Sequence, residues 1–225
     1  PMDQINKLRA FSQMKIEAPL LNSLVKGGPA KWDKPVLTKG RLGLPSGAYV
    51  VDTITVPEDN PWNSWIRCSG FDFFNSGTSA AICSVTGDVW IVSGLDDELK
   101  ALKWRRYATG LFQPLGLKIV DEKIYVLGRD QISRLHDLNK DGEADYYENF
   151  NNDISITNHY HEFCLNLSTD PEGNFYFVKG GNLHDATIPH HGCLVKVSKD
   201  GGKLEVVATG HRAPNGMSVG PEGEV

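Results

Sequence analysis

A chain of 225 residues with 40% hydrophobic and 23% charged residues has the composition of an ordinary folded domain, neither disordered nor fibrous. Its 28 Asp+Glu outnumber 23 Lys+Arg, for a formal charge of -5, which argues against a nucleic-acid partner that would need a clustered basic stripe. No window approaches the ~20 apolar residues of a membrane helix, and no opening series reads as a signal peptide, although the chain starts at Pro1 rather than Met.

In chain order, Ile5, Leu8, Phe11, Ile16, Leu20, Leu21 and Leu24 have partly helical spacing and predict a lead-in with one helix. Residues 27–47 hold five Gly and three Pro and read as an irregular connection, so 1–47 form the lead-in. The segment 49–56, YVVDTITV, is expected to begin the first of several repeated β units; alternatively it supplies outer strands to a last one.

An internal repeat sets the fold class. ATGLFQPLGL at 108–117 and ATGHRAPNGM at 208–217 share Ala, Thr, Gly, Pro and Gly at an offset of 100. Halving it finds an intermediate copy: LNLSTDPEGNFYF at 165–177 aligns with GMSVGPEGEV at 216–225 through PEG. SGFDFF at 69–74 matches LGLKIV at 115–120. Each unit reads as four short strands: 115–120, 123–127, 131–135 and 146–150 in one, then LNLST, NFYFV, CLVKVS and LEVVAT in the next. Four antiparallel strands repeated every ~40 to 50 residues are the signature of a β-propeller blade. The chain is therefore expected to be all-β, with blades at about 69–111, 115–153 and 164–210 and a further one starting at 216. Closed rings have about 4 to 8 blades, so the propeller segment 48–225 is expected to belong to a larger ring.

The most specific chemical pattern is DLNKDGEADYYE at 137–148. Oxygen side chains fall at loop positions one, three, five, nine and twelve, as Asp137, Asn139, Asp141, Asp145 and Glu148. Gly142 stands at the sharp turn and Glu143 can offer its backbone carbonyl. A hard cation such as calcium takes six to eight oxygens. The preceding strand pattern QISRLH and the small Ala144 distinguish the loop from a paired helix–loop–helix sensor and predict a structural clip; a solvated acidic turn is the alternative.

In a propeller, the links between an outer strand and the next inner strand converge over one end of the channel. Here those links contribute Arg67, Gln113, His159, His161, Glu162, His211, Arg212 and Asn215. His159 and His161 could act as base or ligand contact, join His190 and His191 on a transition metal, or only hydrogen-bond at the channel mouth. Arg212 with Asn215 could hold an anion, or Arg212 could be a structural link. No GxSxG elbow, phosphate loop or CxxCH is present, so covalent c-type haem is not expected in this chain. Cys68, Cys83, Cys164 and Cys193 lie in or beside apolar strands and read as buried thiols, with a Cys68 to Cys83 disulfide open.

From about residue 28 to the end, nearly nine-tenths of the chain, a resemblance is carried by the stretches YVVDTITVPEDNPWNSW, SGFDFF, GDVWIVSGLD, WRRYATGLFQPLGLKIV, GRDQISRLHDLNKDGEADYYENFNND, HEF, HHG and APNGM. They resemble large extracytoplasmic propeller proteins of planctomycete and verrucomicrobial bacteria, often labelled membrane-bound dehydrogenases or haem-binding proteins. The resemblance implies a periplasmic or secreted location and further domains, frequently a c-type cytochrome as partner. That family is in turn similar to soluble sugar dehydrogenases using pyrroloquinoline quinone (PQQ), whose propeller also binds calcium. Against their R-N-x-Q-G cofactor loop, Arg212 and Gly216 match, whereas Ala213 and Asn215 replace Asn and Gln. Gln113 and Arg67 are further cofactor-binding candidates, and His161, with His159, is the candidate base by analogy. The expected function is a calcium-binding propeller portion of an oxidoreductase-like protein acting on sugars or other alcohols. A non-catalytic carbohydrate- or partner-binding propeller is the alternative, and a metal-dependent lactonase-like hydrolase using His159, His161 and Glu162 a third.

Overall fold

The computed structural model describes residues 2–12, 21–159, 161–181 and 189–225. A helix, α1 (Met2–Ser12), and a 3-10 turn at Leu21–Lys26 form the lead-in; Ile16 and Leu20 of the expected helix lie outside the described residues. Neither helix is long and apolar enough to cross a membrane.

The remainder is a partial β-propeller of three blades. The first carries β2 (Cys68–Phe73), β3 (Ser79–Ser84), β4 (Val89–Ser93) and β5 (Leu102–Ala108). The second is β6 (Gly116–Val120), β7 (Lys123–Leu127), β8 (Ile132–His136) and β9 (Tyr146–Asn151); the third is β10 (Cys164–Thr169), β11 (Phe175–Lys179), β12 (Cys193–Val197) and β13 (Leu204–Thr209). Within each blade the four strands are antiparallel and in chain order, as hairpin-connected strands with alternating apolar residues require. The repeat extends to an irregularity. The third and fourth strands of each blade slip register at the same place, between Val89 and Trp90, Ile132 and Ser133, and Leu194 and Val195.

The 27–47 segment is not wholly irregular. Its β1 (Val36–Thr38) adds a fifth, outermost strand to the first blade, Thr38↔Leu102 in register. The buried Trp104 fixes it by donating its indole N–H to Thr38 Oγ1 at 2.9 Å. Residues 49–56, expected to begin a blade, form a single bridge, Thr53 to Arg41.

Three apolar layers hold the blades together. Val89, Tyr107 and Ala108 pack on Leu117, Val126 and Leu135 between the first and second. Tyr125, Phe150 and Ile132 pack on Phe175, Phe177 and Val195 between the second and third, with Tyr125 and Phe175 rings 4.8 Å apart. The outer face of the first blade, Trp90, Val92 and Trp104, is covered by Ile54, Val56, Trp62 and Ile66. Inner strands approach closely where side chains are absent: a Cβ on Gly116 would lie 2.8 Å from the Asn166 carbonyl carbon.

Candidate functional site

Strand direction places the links and the second-to-third-strand hairpins at one end of the blades. Leu111 N–H donates to the Gly87 carbonyl, Arg129 N–H to that of Phe112, and His211 N–H to that of Gly192. At this end a cleft of about 560 Å³ opens beside the inner strands. Arg67, Ser69, Phe163, Asn166 and Asn215 are among its lining residues. The structure thus brings together two predicted residues, Arg67 and Asn215, from the first and last links. Ser69 is oriented by donating its hydroxyl to the Pro114 carbonyl at 2.6 Å. Asn166 sits in a bulge of β10 with φ 61, a conformation that L residues other than Asn and Asp rarely adopt.

Gln113 does not line that cleft. Its Oε1 accepts from Arg129 Nη1 at 3.2 Å. Arg129, buried in the β7–β8 turn, also donates to the Thr157 and His159 carbonyls and lies near the Phe112 and Phe163 rings. The guanidinium ties two links together, a use of its rigid fork. Sequence reading missed Arg129 because GRD at a hairpin reads as a solvated turn; its position at the link end was the available signal.

His159 and His161 do come together, with ring centroids 5.3 Å apart, but through a turn rather than an extended strand. His161 N–H donates to His159 Nδ1 at 3.3 Å. Glu162 is held by the link residue Thr157. Fully buried, it accepts from Thr157 Oγ1 at 2.7 Å and Thr157 N–H at 3.1 Å and faces Lys179 Nζ at 3.5 Å. His191 Nε2 stands 3.7 Å away. Burial pushes the Glu162 carboxyl up, but the Thr157 hydrogen bonds and the Lys179 and His191 charges outweigh it and hold it below its ordinary range. Lys179 donates to the Ser155 carbonyl, and Ser155 N–H donates to His190 Nδ1 at 3.1 Å. Burial, then the Lys179 charge, lowers the His190 pKa despite Asp153. Arg212 is exposed, and its described bond is a carbonyl accepting from Gly181 N–H.

All four cysteines are free. Cys68 is exposed in the cleft. Burial pushes the Cys83 and Cys164 thiols up to about 12.

The 137–148 loop joins β8 to β9 at the opposite end. Asp137 accepts from Asp141 and Gly142 N–H, Asp141 from Glu143 N–H, and Asn139 Oδ1 from Asp141 N–H. Asp145 takes Leu138 N–H and Gly28 N–H, each at 2.9 Å. The Glu143 carboxylate caps the Lys31 and Trp32 amides. Glu148, the expected twelfth-position ligand, is engaged within the blade by Arg134 and His136, each 2.6 Å away. Burial raises its carboxyl, but those two partners leave it below its ordinary value. The loop leans on the first blade, where Arg105 donates to the Asp141 carbonyl and Ala144 N–H donates to that of Tyr107. Burial, then the Asp137 charge, pushes the Tyr107 phenol up. Among the described residues, no three His, Cys, Asp or Glu stand together as a metal-holding group.

No family model and no curated protein matches the chain. Among solved structures it overlays a candidate oxidoreductase (glucose dehydrogenase) from Thermus thermophilus with a TM-score of 0.51 at 17% identity, covering 67% of this chain and 53% of that one. A second glucose dehydrogenase structure gives 0.51 at 14% identity, covering 84% and 59%. The chain thus spans between half and three-fifths of the length of these proteins. What it shares with them is the β-propeller fold.

Proposed function

We propose that the chain is the ligand-binding portion of an extracytoplasmic, oxidoreductase-like propeller that takes a sugar or another polyhydroxylated molecule at the link end. The observation that carries this reading is the cleft in which Arg67, Ser69, Asn166 and Asn215 offer donors and acceptors beside the Phe163 ring. Hydroxyl groups are bound by such mixed amide and hydroxyl sets, with an aromatic face for the C–H side. The glucose dehydrogenases that share the fold supply the oxidoreductase element, and the sequence resemblance supplies the extracytoplasmic location and a c-type cytochrome partner.

Pyrroloquinoline quinone carries three carboxylates and would need several cations. The cleft supplies Arg67; Arg212 is not among its lining residues, and Gln113 is engaged by Arg129. The described residues do not fit the quinone there. Among those described residues the cleft lining also contains no imidazole or carboxylate, which favours a second reading, a carbohydrate-binding propeller without redox chemistry.

Calcium belongs to the same proposal. The β8–β9 donor set of Asp137, Asn139, Asp141, Asp145 and the Glu143 carbonyl is all oxygen, the chemistry a hard cation takes. A cation would draw the three aspartates together while relieving their repulsion.

Calorimetric titration with glucose and a polyol panel tests the cleft: binding that weakens about tenfold or more in Arg67→Ala and Asn215→Ala is expected, and no binding by any member sinks it. Sugar-dependent dye reduction separates the two readings, since bound sugar without turnover selects the second.

A further inference from the structure

The cleft at the link end does not stop at its polar mouth. A second cavity, of about 410 Å³, adjoins it further along the inner strands and shares Cys68, Ser69, Leu115 and Asn166 with its wall. Beyond those four, its side chains are Phe71, Leu117 and Leu167, and no charged residue lines it. The floor is continuous because the inner strands touch: a Cβ on Gly70 would lie 2.9 Å from the Leu117 amide nitrogen, as one on Gly116 would press on Asn166. Phe71 is 64% exposed, and its ring meets that of Phe73 edge-on at 6.0 Å. The intervening Asp72 carboxylate is spent on β6, accepting from Ile119 N–H and pairing with Lys118 Nζ, each at 2.9 Å.

We infer that the site takes a glycoside with an aliphatic aglycone, the sugar held at the mouth and the alkyl chain laid along the inner strands to Phe71. The inference rests on the polyol reading of the mouth given above. The order of the residues carries it. Arg67 and Asn215 stand at the entrance, offering a guanidinium and an amide. At the junction, Ser69 spends its hydrogen on the Pro114 carbonyl, which leaves its oxygen lone pairs for a ligand hydroxyl, and Asn166 adds an amide. Past that point the lining side chains offer a hydroxyl no partner, so a polar group carried there would lose its water without replacement. A methylene gains instead, by about fourfold in affinity for each one removed from water. A free hexose would leave the second cavity unfilled; an alkyl chain on the same sugar covers the exposed Phe71 ring.

The test is calorimetry with methyl, butyl, hexyl and octyl glucoside, each below its micelle concentration, on the wild type, Phe71→Ser and Arg67→Ala, with octanol as the chain that lacks a head. Circular dichroism confirms that each variant folds. Affinity that rises about tenfold or more from methyl to octyl glucoside is expected in the wild type. Phe71→Ser should flatten that rise, and Arg67→Ala should weaken every member of the series. Octyl glucoside should also shield Cys68, which belongs to both cavities, from thiol labelling more than methyl glucoside does. Methyl glucoside binding with no dependence on chain length would overturn the inference and leave the polyol reading standing. Octanol binding as tightly as octyl glucoside would overturn it too, since the head would then play no part. Absence of binding by every glucoside would overturn the polyol reading, and the inference with it.

Discussion

Lys179 and Glu162 face each other at 3.5 Å at the link end of the third blade, with no solvent exposure on either side chain. A charge in that position is tolerated only with its partner. Lys179→Met is therefore expected to cost about 3–5 kcal/mol in urea unfolding, because it leaves the buried carboxylate without its ammonium partner. Lys179→Met with Glu162→Gln should recover part of that loss; a double variant no more stable than the single would sink the pairing.

The same carboxyl gives the pH dependence a sign. Its folded pKa is held below the ordinary value of 4.5, so its contribution is complete above 4.5 and is lost as pH falls through the folded value. Unfolding midpoints measured from about pH 6 down to about pH 3 should fall less steeply for Glu162→Gln than for the wild type. Parallel slopes would remove Glu162 from the acid response.

Gly116 and Gly216 occupy the same position of the ATGxxxPxG repeat but meet different surroundings. A Cβ on Gly116 would press on the Asn166 and Leu167 backbone at 2.8–2.9 Å, whereas one on Gly216 would meet nothing within 4 Å. Gly116→Ala should destabilise by about 1–3 kcal/mol and Gly216→Ala should stay within about 0.5 kcal/mol of wild type. Equal thermal shifts would contradict the close approach of β6 and β10.

Thiol labelling should follow exposure. Cys68 should react first in the native protein, slowed by its raised pKa, while Cys83 and Cys164 should react only on unfolding. Because Cys68 lines the cleft, a bound sugar should slow its labelling further. Native mass analysis that finds a Cys68 to Cys83 bridge would contradict the free thiols.

If the acidic loop holds calcium, a chelator should lower the melting temperature, and saturation at about 100 times Kd corresponds to about 2.7 kcal/mol of stabilisation. Asp137→Ala should abolish the calcium-dependent increment. An unchanged melting temperature in chelator removes the clip.

The blades were legible because their information is local and repeated: the 123–127 and 164–169 strands appear nearly where alternation places them. Convergence of Arg67 and Asn215 followed from topology alone. The rest depends on partners distant in sequence. Val36–Thr38 becomes a strand because Trp104 offers it an indole N–H, and nothing within 27–47 announces that. Lys179 ends an apolar strand and reads as a solvated tip, but Glu162 and the Ser155 carbonyl draw it inside. Glu148 matches a calcium pattern by spacing, yet the cross-strand position opposite Arg134 decides its partner.

The layered core has a consequence for cooperativity. Each apolar layer joins only neighbours: first blade with its covering segment, first with second, second with third. Energetics of this kind are nearly one-dimensional, a sum of unit and interface contributions as in stacked repeats. The second blade, alone in contributing to two inter-blade layers among the described residues, acts as the keystone. A lesion there, such as Val126→Ala or Leu127→Ala, should uncouple the first and third blades into separate unfolding transitions, whereas an equal lesion at Val206 on the rim should leave the unfolding in register.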